Sequence, residues 1–157
     1  MKKISIIFII FIIDRLSKIY LINLQETGTD VDFYIFPFLD FYLVWNRGIG
    51  FGIMSLDATV MYHSITAIIG FINLAILYMV FVSKNIRAYM FAMILGGSLG
   101  NLFDRIYYYA VPDFIDFHSG NFNWFIFNVA DIFITVGIIG LIIVEIITKE
   151  EKKLTNV

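Results

Sequence analysis

The chain has 157 residues, of which 60% are hydrophobic and only 15% are charged, and its formal net charge is -2. Soluble domains are about 45 to 50% apolar and about 25% charged, so this composition is typical of a membrane protein. Because there is no basic tract, we expect no nucleic-acid partner. The absence of cysteine excludes disulfides, a thiol nucleophile and a thiolate metal site.

The N-terminal segment starts with two lysines and a long apolar run, an arrangement that imitates a secretory signal peptide. No small-residue cleavage site follows, and apolar residues resume after the sequence DRLSK, so we predict a retained first membrane helix over about residues 4–24. Asp14 and Lys18 are four residues apart and share a helix face, which allows them to pair inside the protein. The alternative is a pair that snorkels to the interface.

Residues 25–62 form a mixed segment with five acidic residues and one base, Arg47. Its middle contains β-branched and aromatic residues bounded by Pro37 and by several glycines, a pattern typical of strands and tight turns. We expect a small sheet on the membrane surface, with Trp45 at the interface. From spacing alone, Asn46-Arg47-Gly48 is most simply a turn.

Three further apolar segments predict membrane helices over about residues 63–82, 88–109 and 125–147. The predicted fold class is therefore an all-α membrane protein with four transmembrane helices. A small extracytoplasmic β-rich segment lies between the first two helices. The whole chain, residues 1–157, is predicted to form a single integral-membrane domain.

Basic residues predict the orientation of these helices. Seven of them lie at the two termini or between the second and third spans, whereas only Arg47 and Arg105 lie in or beside the opposite loops. The seven are Lys2, Lys3, Lys84, Arg87, Lys149, Lys152 and Lys153. By the positive-inside rule both termini are cytoplasmic, and the 25–62 segment and the 107–124 loop are extracytoplasmic.

The third predicted span ends in the sequence GGSLGNLFDRI, residues 96–106. Its small residues allow helices to approach closely. Asn101, Asp104 and Arg105 share one face, which must point into the protein because charges in a membrane are costly. We expect Asp104 and Arg105 to compensate each other's charge in a structural network that holds a site.

Asp113 and Asp131 have no basic neighbour in the sequence and lie between and at the start of apolar segments. If the hairpin between the third and fourth spans brings them together, their like charges raise one pKa and the pair shares a proton. Aspartic proteases activate water in this way. Asp116 competes with Asp113 for the same role.

Three other functions remain open from the residues alone. A serine intramembrane peptidase would use Ser98 and His63, but the serine lacks a GxSxG context. A metal site would use Asp113, Asp116 and His118, but no second histidine follows at helical spacing. A small transporter or proton-relay subunit would use the intramembrane Asp and Arg residues, and four short spans without repeat symmetry disfavour it.

Five motifs carry a family resemblance: DRLSK, NRGIGFG, GGSLGNLFDRI, VPDFIDF and FNVAD, in this order from Asp14 to Asp131. The chain resembles the lipoprotein signal peptidases, also called signal peptidase II. The resemblance implies an aspartic endopeptidase of the bacterial cytoplasmic (inner) membrane, with its active site near the outer face. Its implied substrates are prolipoproteins, cleaved just before a diacylglyceryl cysteine. We expect membrane lipid as a partner, no metal or other cofactor, and infer no obligate protein partner.

Carried over by position, the resemblance implies that Asp113 and Asp131 are the catalytic pair. The positions implied to bind substrate or brace the site are Asp14, Lys18, Asn46, Gly48, Gly97, Asn101, Asp104, Arg105, Asn128 and Ala130. The sequence departs from the family pattern at Arg15, where glutamine is usual, and at Pro112, where an aliphatic residue is usual. Arg15 must find a partner or an interface, and Pro112 is expected to end the third helix before Asp113.

Overall fold

The computed structural model describes residues 1–48, 57–120 and 122–155. Residues 49–52 of the NRGIGFG motif therefore lie outside the described residues. Within the described ranges the chain forms long helices and a small antiparallel sheet. In chain order the elements are α1 (Lys2–Glu26), β1 (Asp32–Phe36), β2 (Leu39–Asn46), α2 (Asp57–Val82), α3 (Asn85–Tyr107), β3 (Val111–Ser119), β4 (Phe122–Phe127) and α4 (Val129–Thr155).

Three of the described helices are long and apolar enough to cross a membrane. They cover Thr59–Val82, Asn85–Tyr107 and Val129–Lys149, close to the predicted second, third and fourth spans. The first helix, α1, has 25 residues and is long enough, but it carries Asp14, Arg15 and Lys18 near its middle. Length and composition therefore support three of the four predicted spans.

α3 is the central helix and packs against α1, α2 and α4. Its glycines make the close approach possible, because a Cβ on Gly96 would lie 2.9 Å from the Ile7 carbonyl oxygen of α1. A Cβ on Gly97 would lie 2.5 Å from the Ala130 carbonyl oxygen of α4. The small residues in the motif thus set the spacing of three helices, as helix packing in membranes requires.

The sheet is larger than the sequence predicted. Its order is β1-β2-β3-β4 and every neighbouring pair is antiparallel. Only β1 and β2 come from the 25–62 segment, and the 107–124 loop and the start of the predicted fourth span supply β3 and β4. The predicted start of the fourth helix near residue 125 was wrong, because a short aromatic run next to a helix cannot be told from helix by apolarity alone.

The sheet rests on the end of α1 through a cluster of apolar side chains. Its buried members are Leu21, Ile22, Val31, Leu43, Phe114 and Ile115. α3 ends at Tyr107, so Asp113 lies on a strand, as the proline before it predicted. The pairing of β3 with β4 begins at Ile115 of β3, three residues after Pro112. The N–H that Pro112 lacks is therefore not needed for that pairing.

Candidate active site

A cavity of about 200 Å³ lies where β2, β3, α3 and α4 meet. Asp113 of β3 and Asp131 of the first turn of α4 both line this cavity. Three asparagines, Asn46, Asn101 and Asn128, line it as well. The fold therefore brings the two carboxylates singled out in the sequence to one place, and surrounds them with amide groups.

Asp113 is buried and accepts hydrogen bonds from two side-chain amides. The Asn46 Nδ2 donates to Oδ2 at 2.8 Å, and the Asn128 Nδ2 donates to Oδ1 at 2.5 Å. Burial raises the pKa of Asp113 from 3.8 to about 6, against the opposing effect of these two hydrogen bonds. The nearby negative charge of Asp131 adds to the rise. Asp113 can therefore carry a proton closer to neutral pH than an ordinary aspartate.

Asp131 is held by a different set of donors. The Asn101 Nδ2 donates to its Oδ1 at 2.8 Å, and the backbone N–H of Asn128 donates to its Oδ2 at 3.1 Å. Asn128 Oδ1 in turn accepts the backbone N–H of Asp131 at 3.1 Å. Because Asp131 lies in the first turn of α4, the helix N-terminus stabilises its negative charge. Asn128 thus contacts both aspartates and fixes their relative positions.

A buried ionic network lies behind Asp131 and joins α1 to α3. The Lys18 Nζ donates to Asp14 Oδ2 at 2.8 Å, to Asp104 Oδ2 at 2.7 Å and to Asn101 Oδ1 at 2.8 Å. Arg15 pairs with the other oxygen of Asp104, so two cations meet two anions. Since Asn101 also donates to Asp131, this network orients an amide that holds the candidate site.

The network also reaches α4 through Asp14. Its Oδ1 accepts the backbone N–H of Ala130 at 2.9 Å, so a side chain of α1 satisfies one of the orphan amides at the start of α4. A Cβ on Gly100 would collide with the Asp14 carboxylate. The predicted pairing of Asp14 with Lys18 inside the protein is confirmed.

The predicted pairing of Asp104 with Arg105 is wrong. Adjacent residues on a helix point about 100° apart, and here Asp104 faces α1 whereas Arg105 lines the aspartate cavity. The Arg105 guanidinium lies 5.7 Å from the Tyr62 ring centroid. Gly48 has a φ of +69°, so the backbone conformation favours glycine, and a Cβ there would lie 2.8 Å from Nη2 at the movable end of the Arg105 side chain.

Two contributors to this region were missed from the sequence. Arg15 was expected to find a partner or an interface, but Asp104 was not identified as that partner. Tyr62 was not singled out, although its hydroxyl donates to the Arg105 backbone oxygen at 2.9 Å. The usable signal was the charge of Arg15 at membrane depth, which requires a nearby acid.

The residues of the alternative sites are not assembled in the same way. Ser98 lines the cavity, but His63 does not, and its ring packs 6.3 Å from Tyr109. His118 lies between two carboxylates, with Nδ1 3.8 Å from Asp116 Oδ2 and Nε2 3.8 Å from Asp40 Oδ2. Across the described ranges, no group of three His, Cys, Asp or Glu residues is placed to hold a metal ion.

Comparison with known proteins gives the family. The model described as "Signal peptidase (SPase) II" matches residues 6–147, which is most of the chain. The chain belongs to the signal peptidase II family. Its resemblance to that family, first drawn from five short motifs, is confirmed.

Relatives of this signal peptidase II chain are similar over nearly their whole length. A lipoprotein signal peptidase of Pelagibacter ubique (strain HTCC1062) is 53% identical over 147 residues, covering 94% of this chain and 89% of the relative. One from Aquifex aeolicus (strain VF5) is 37% identical over 151 residues, covering 95% and 88%. A solved bacterial membrane enzyme superposes with a TM-score of 0.73 at 29% identity, covering 96% of this chain and 91% of that one.

Proposed function

We propose that this chain is an intramembrane aspartic endopeptidase that removes the signal peptide from prolipoproteins, cutting just before a diacylglyceryl-modified cysteine. The observation that carries the proposal is the convergence of Asp113 and Asp131 on one cavity, tied together by Asn128. Membership of a family whose curated relatives are named lipoprotein signal peptidases supports the substrate class.

In the proposed mechanism a water molecule lies between the two carboxyl groups. Asp113 holds the shared proton at the start, since burial raises its pKa to about 6. Asp131 is the initial base, because the start of α4 and two N–H donors stabilise its negative charge. Asp131 takes a proton from the water as its oxygen attacks the scissile carbonyl carbon, and Asp113 donates its proton to the carbonyl oxygen.

The second half of the reaction reverses these roles. The tetrahedral intermediate returns a proton from its hydroxyl to Asp113, and Asp131 donates its proton to the leaving nitrogen as the C–N bond breaks. The products are a free amine on the lipidated cysteine and a carboxylic acid on the signal peptide. The amides of Asn46, Asn101 and Asn128 hold the carboxyl groups in place through both steps.

The membrane placement is also a proposal. We take α1 as a fourth transmembrane helix, because Asp14, Arg15 and Lys18 have their charges compensated inside the protein rather than by lipid. In this placement both termini are in the cytoplasm, the sheet covers the outer face of the bacterial inner membrane, and the aspartates lie near that face. A lipidated precursor can then reach them by lateral diffusion.

The activity is tested by incubating the purified protein with a diacylglyceryl-modified precursor. We expect a shortened product, with a bell-shaped dependence of rate on pH. The rate falls at low pH as both carboxyls protonate, and falls again above about pH 6 as Asp113 loses its proton. Mass spectrometry of the product and initial rates across the pH range provide the measurement.

The matched control is the same precursor without its lipid, which should remain uncut. A transporter or proton-relay subunit would leave both precursors intact and would instead carry a flux across vesicles that depends on its intramembrane Asp and Arg residues. A shortened product from both precursors would contradict the proposed recognition of the lipidated cysteine.

The orientation is tested with reporters that are active only outside the cytoplasm. A reporter inserted at Gly120, in the turn between β3 and β4, should be active, and one fused after Val157 should be inactive. The reason is the concentration of basic residues at the termini and between α2 and α3. The reverse pattern would put Asp113 and Asp131 on the side that a translocated lipoprotein precursor does not reach.

A further inference from the structure

A second concave site lies at the end of the helices remote from the aspartate cavity. It is a groove of about 640 Å³ between the last turn of α2, the first turns of α3 and the C-terminal half of α4. Its apolar walls are Met79, Val82, Phe91, Leu141 and Ile142, and its polar rim is Ser83, Lys84, Arg87 and Glu145. The proposed peptidase mechanism uses none of these residues.

The rim of this groove carries more positive than negative charge. Lys84 and Arg87 face it together with a single described carboxylate, Glu145. Lys3 lies beside the same rim, where its Nζ donates to the Val80 backbone oxygen at 2.8 Å and to the Ser83 backbone oxygen at 3.1 Å. An anionic ligand is therefore favoured at the mouth.

The pairing of Arg87 with Glu145 is easily exchanged. The Arg87 Nη2 lies 3.0 Å from Glu145 Oε2, and the two side chains are 40% and 57% exposed. Exposed ion pairs of this kind are weak because water screens both charges, so a phosphate can compete with the carboxylate for the guanidinium. Arginine also binds phosphate in a bidentate manner, which a single lysine cannot do.

The apolar walls of the groove indicate that the anionic ligand also carries an apolar group. Ile142 is 55% exposed and Val82 is 47% exposed, on helices apolar enough to cross a membrane. A basic rim above apolar walls between transmembrane helices is the arrangement that binds the head groups of anionic lipids. A soluble phosphate compound would use the rim and leave the walls uncovered.

We propose that this groove binds an anionic phospholipid of the phosphatidylglycerol type. Its phosphate lies between Lys84 and Arg87, and an acyl chain runs along Phe91, Leu141 and Ile142. The site goes beyond the proposed peptidase activity and does not depend on it. It requires that α2, α3 and α4 span the bilayer. Lys84 and Arg87 then lie at the level of the lipid head groups.

The test is native mass spectrometry of the purified full-length protein, exchanged into detergent with phosphatidylglycerol or with phosphatidylcholine of the same acyl chains. We expect retention of one phosphatidylglycerol, at least about tenfold above phosphatidylcholine, because each basic residue near an anionic lipid contributes about 1 kcal/mol. Combining Lys84→Gln with Arg87→Gln should abolish that preference. The matched control, Lys2→Gln with Lys149→Gln, removes the same charge from exposed positions outside the groove and should retain it.

Two further variants act in opposite directions on the same groove. Glu145→Gln removes the competing carboxylate and should raise phosphatidylglycerol retention several-fold. Ile142→Trp fills the groove without changing charge and should lower retention, while thermal unfolding shows that the protein is still folded. These variants keep the test informative even if the double variant fails to fold.

Several outcomes would overturn the proposal. Equal retention of both lipids would show that charge plays no part, and displacement of the lipid by glycerol 3-phosphate at equal concentration would show that the apolar walls play none. Unchanged retention in the folded double variant would place the lipid elsewhere. A dimer that disappears in the Ile142→Trp variant would show that a second copy of the chain covers the groove.

Discussion

Replacing either Asp113 or Asp131 with asparagine should lower the turnover of a lipidated precursor by about a thousandfold or more. Each replacement keeps the size of the side chain and removes the group that holds or accepts the proton in the proposed mechanism. In the proposed mechanism the two carboxyls act as a unit, so the double variant should be scarcely slower than either single variant. Initial rates measured with a diacylglyceryl-modified precursor check both expectations.

The same variants should remain folded. The pKa of Asp113 in the folded protein is about 6, above its ordinary value of 3.8. The folded protein therefore holds the Asp113 proton more tightly than the unfolded chain does. This contribution to the free energy of unfolding is complete below pH 3.8 and is lost as pH rises through 6. Above that pH the buried carboxylate costs up to about 3 kcal/mol, a cost that asparagine avoids. Asparagine offers only one oxygen to the two amides that donate to Asp113, so we expect Asp113→Asn to unfold in detergent near the temperature of the parent at neutral pH.

Asp116→Asn is the matched control for these variants. It makes the same chemical change on the same strand, but Asp116 is opposite Asp40 in β2 and does not line the aspartate cavity. Activity should stay within about threefold of the parent, since a group outside the site gives no transition-state stabilisation. An inactive Asp116→Asn beside an active Asp113→Asn would show that the pair has been misassigned.

The largest loss of stability is expected from Lys18→Met. Methionine preserves the apolar stem but removes the ammonium that joins Asp14, Asn101 and Asp104, all at 2.7 to 2.8 Å. Breaking a buried ion pair by removing one partner costs roughly 3 to 5 kcal/mol, because the other charge is left uncompensated. Thermal unfolding in detergent, followed by tryptophan fluorescence, measures the effect.

Lys2→Met provides the comparison within the same helix, because Lys2 is exposed and its replacement should cost little. Equal unfolding temperatures for the two variants would contradict the structural role of the network. Asp104→Asn should behave like Lys18→Met, and for a reason that differs from the one predicted from sequence. It deprives Lys18 and Arg15, rather than Arg105, of a charge partner.

Three of the helices, α2, α3 and α4, were predictable as membrane spans because each contains a long apolar run, and the run needed to cross the hydrocarbon is about 20 residues. The strands β3 and β4 were not, since FNWFIF is an aromatic, largely apolar run directly before a helix and its strand state depends on pairing with β3. Pairing between segments is tertiary information. The proline before Asp113 nevertheless predicted that the third helix would end before that residue, and α3 ends at Tyr107.

The candidate site was predictable in its residue types and only partly in its contacts. Carboxylate and amide side chains between apolar segments predicted where the site lies, because burying such groups is costly unless they have hydrogen-bond or charge partners. Which partner each one takes depends on helix rotation and close packing. Arg15 reaches Asp104 across 89 residues of sequence, and no local spacing predicts that contact. The shared role of Asn128 likewise depends on the hairpin that places β3 beside α4.

The ionic network has a consequence for how the protein is made. In the proposed placement α1 is a transmembrane helix and is made first, and Lys18 acquires its contacts to Asn101 and Asp104 only after 83 and 86 further residues have been added. Until then Asp14 is the only described partner within the helix, and Arg15 is uncompensated in lipid. In that placement we expect the first helix to settle in lipid only once the third is made, and the backbone amide of Ala130 is the last partner to reach Asp14.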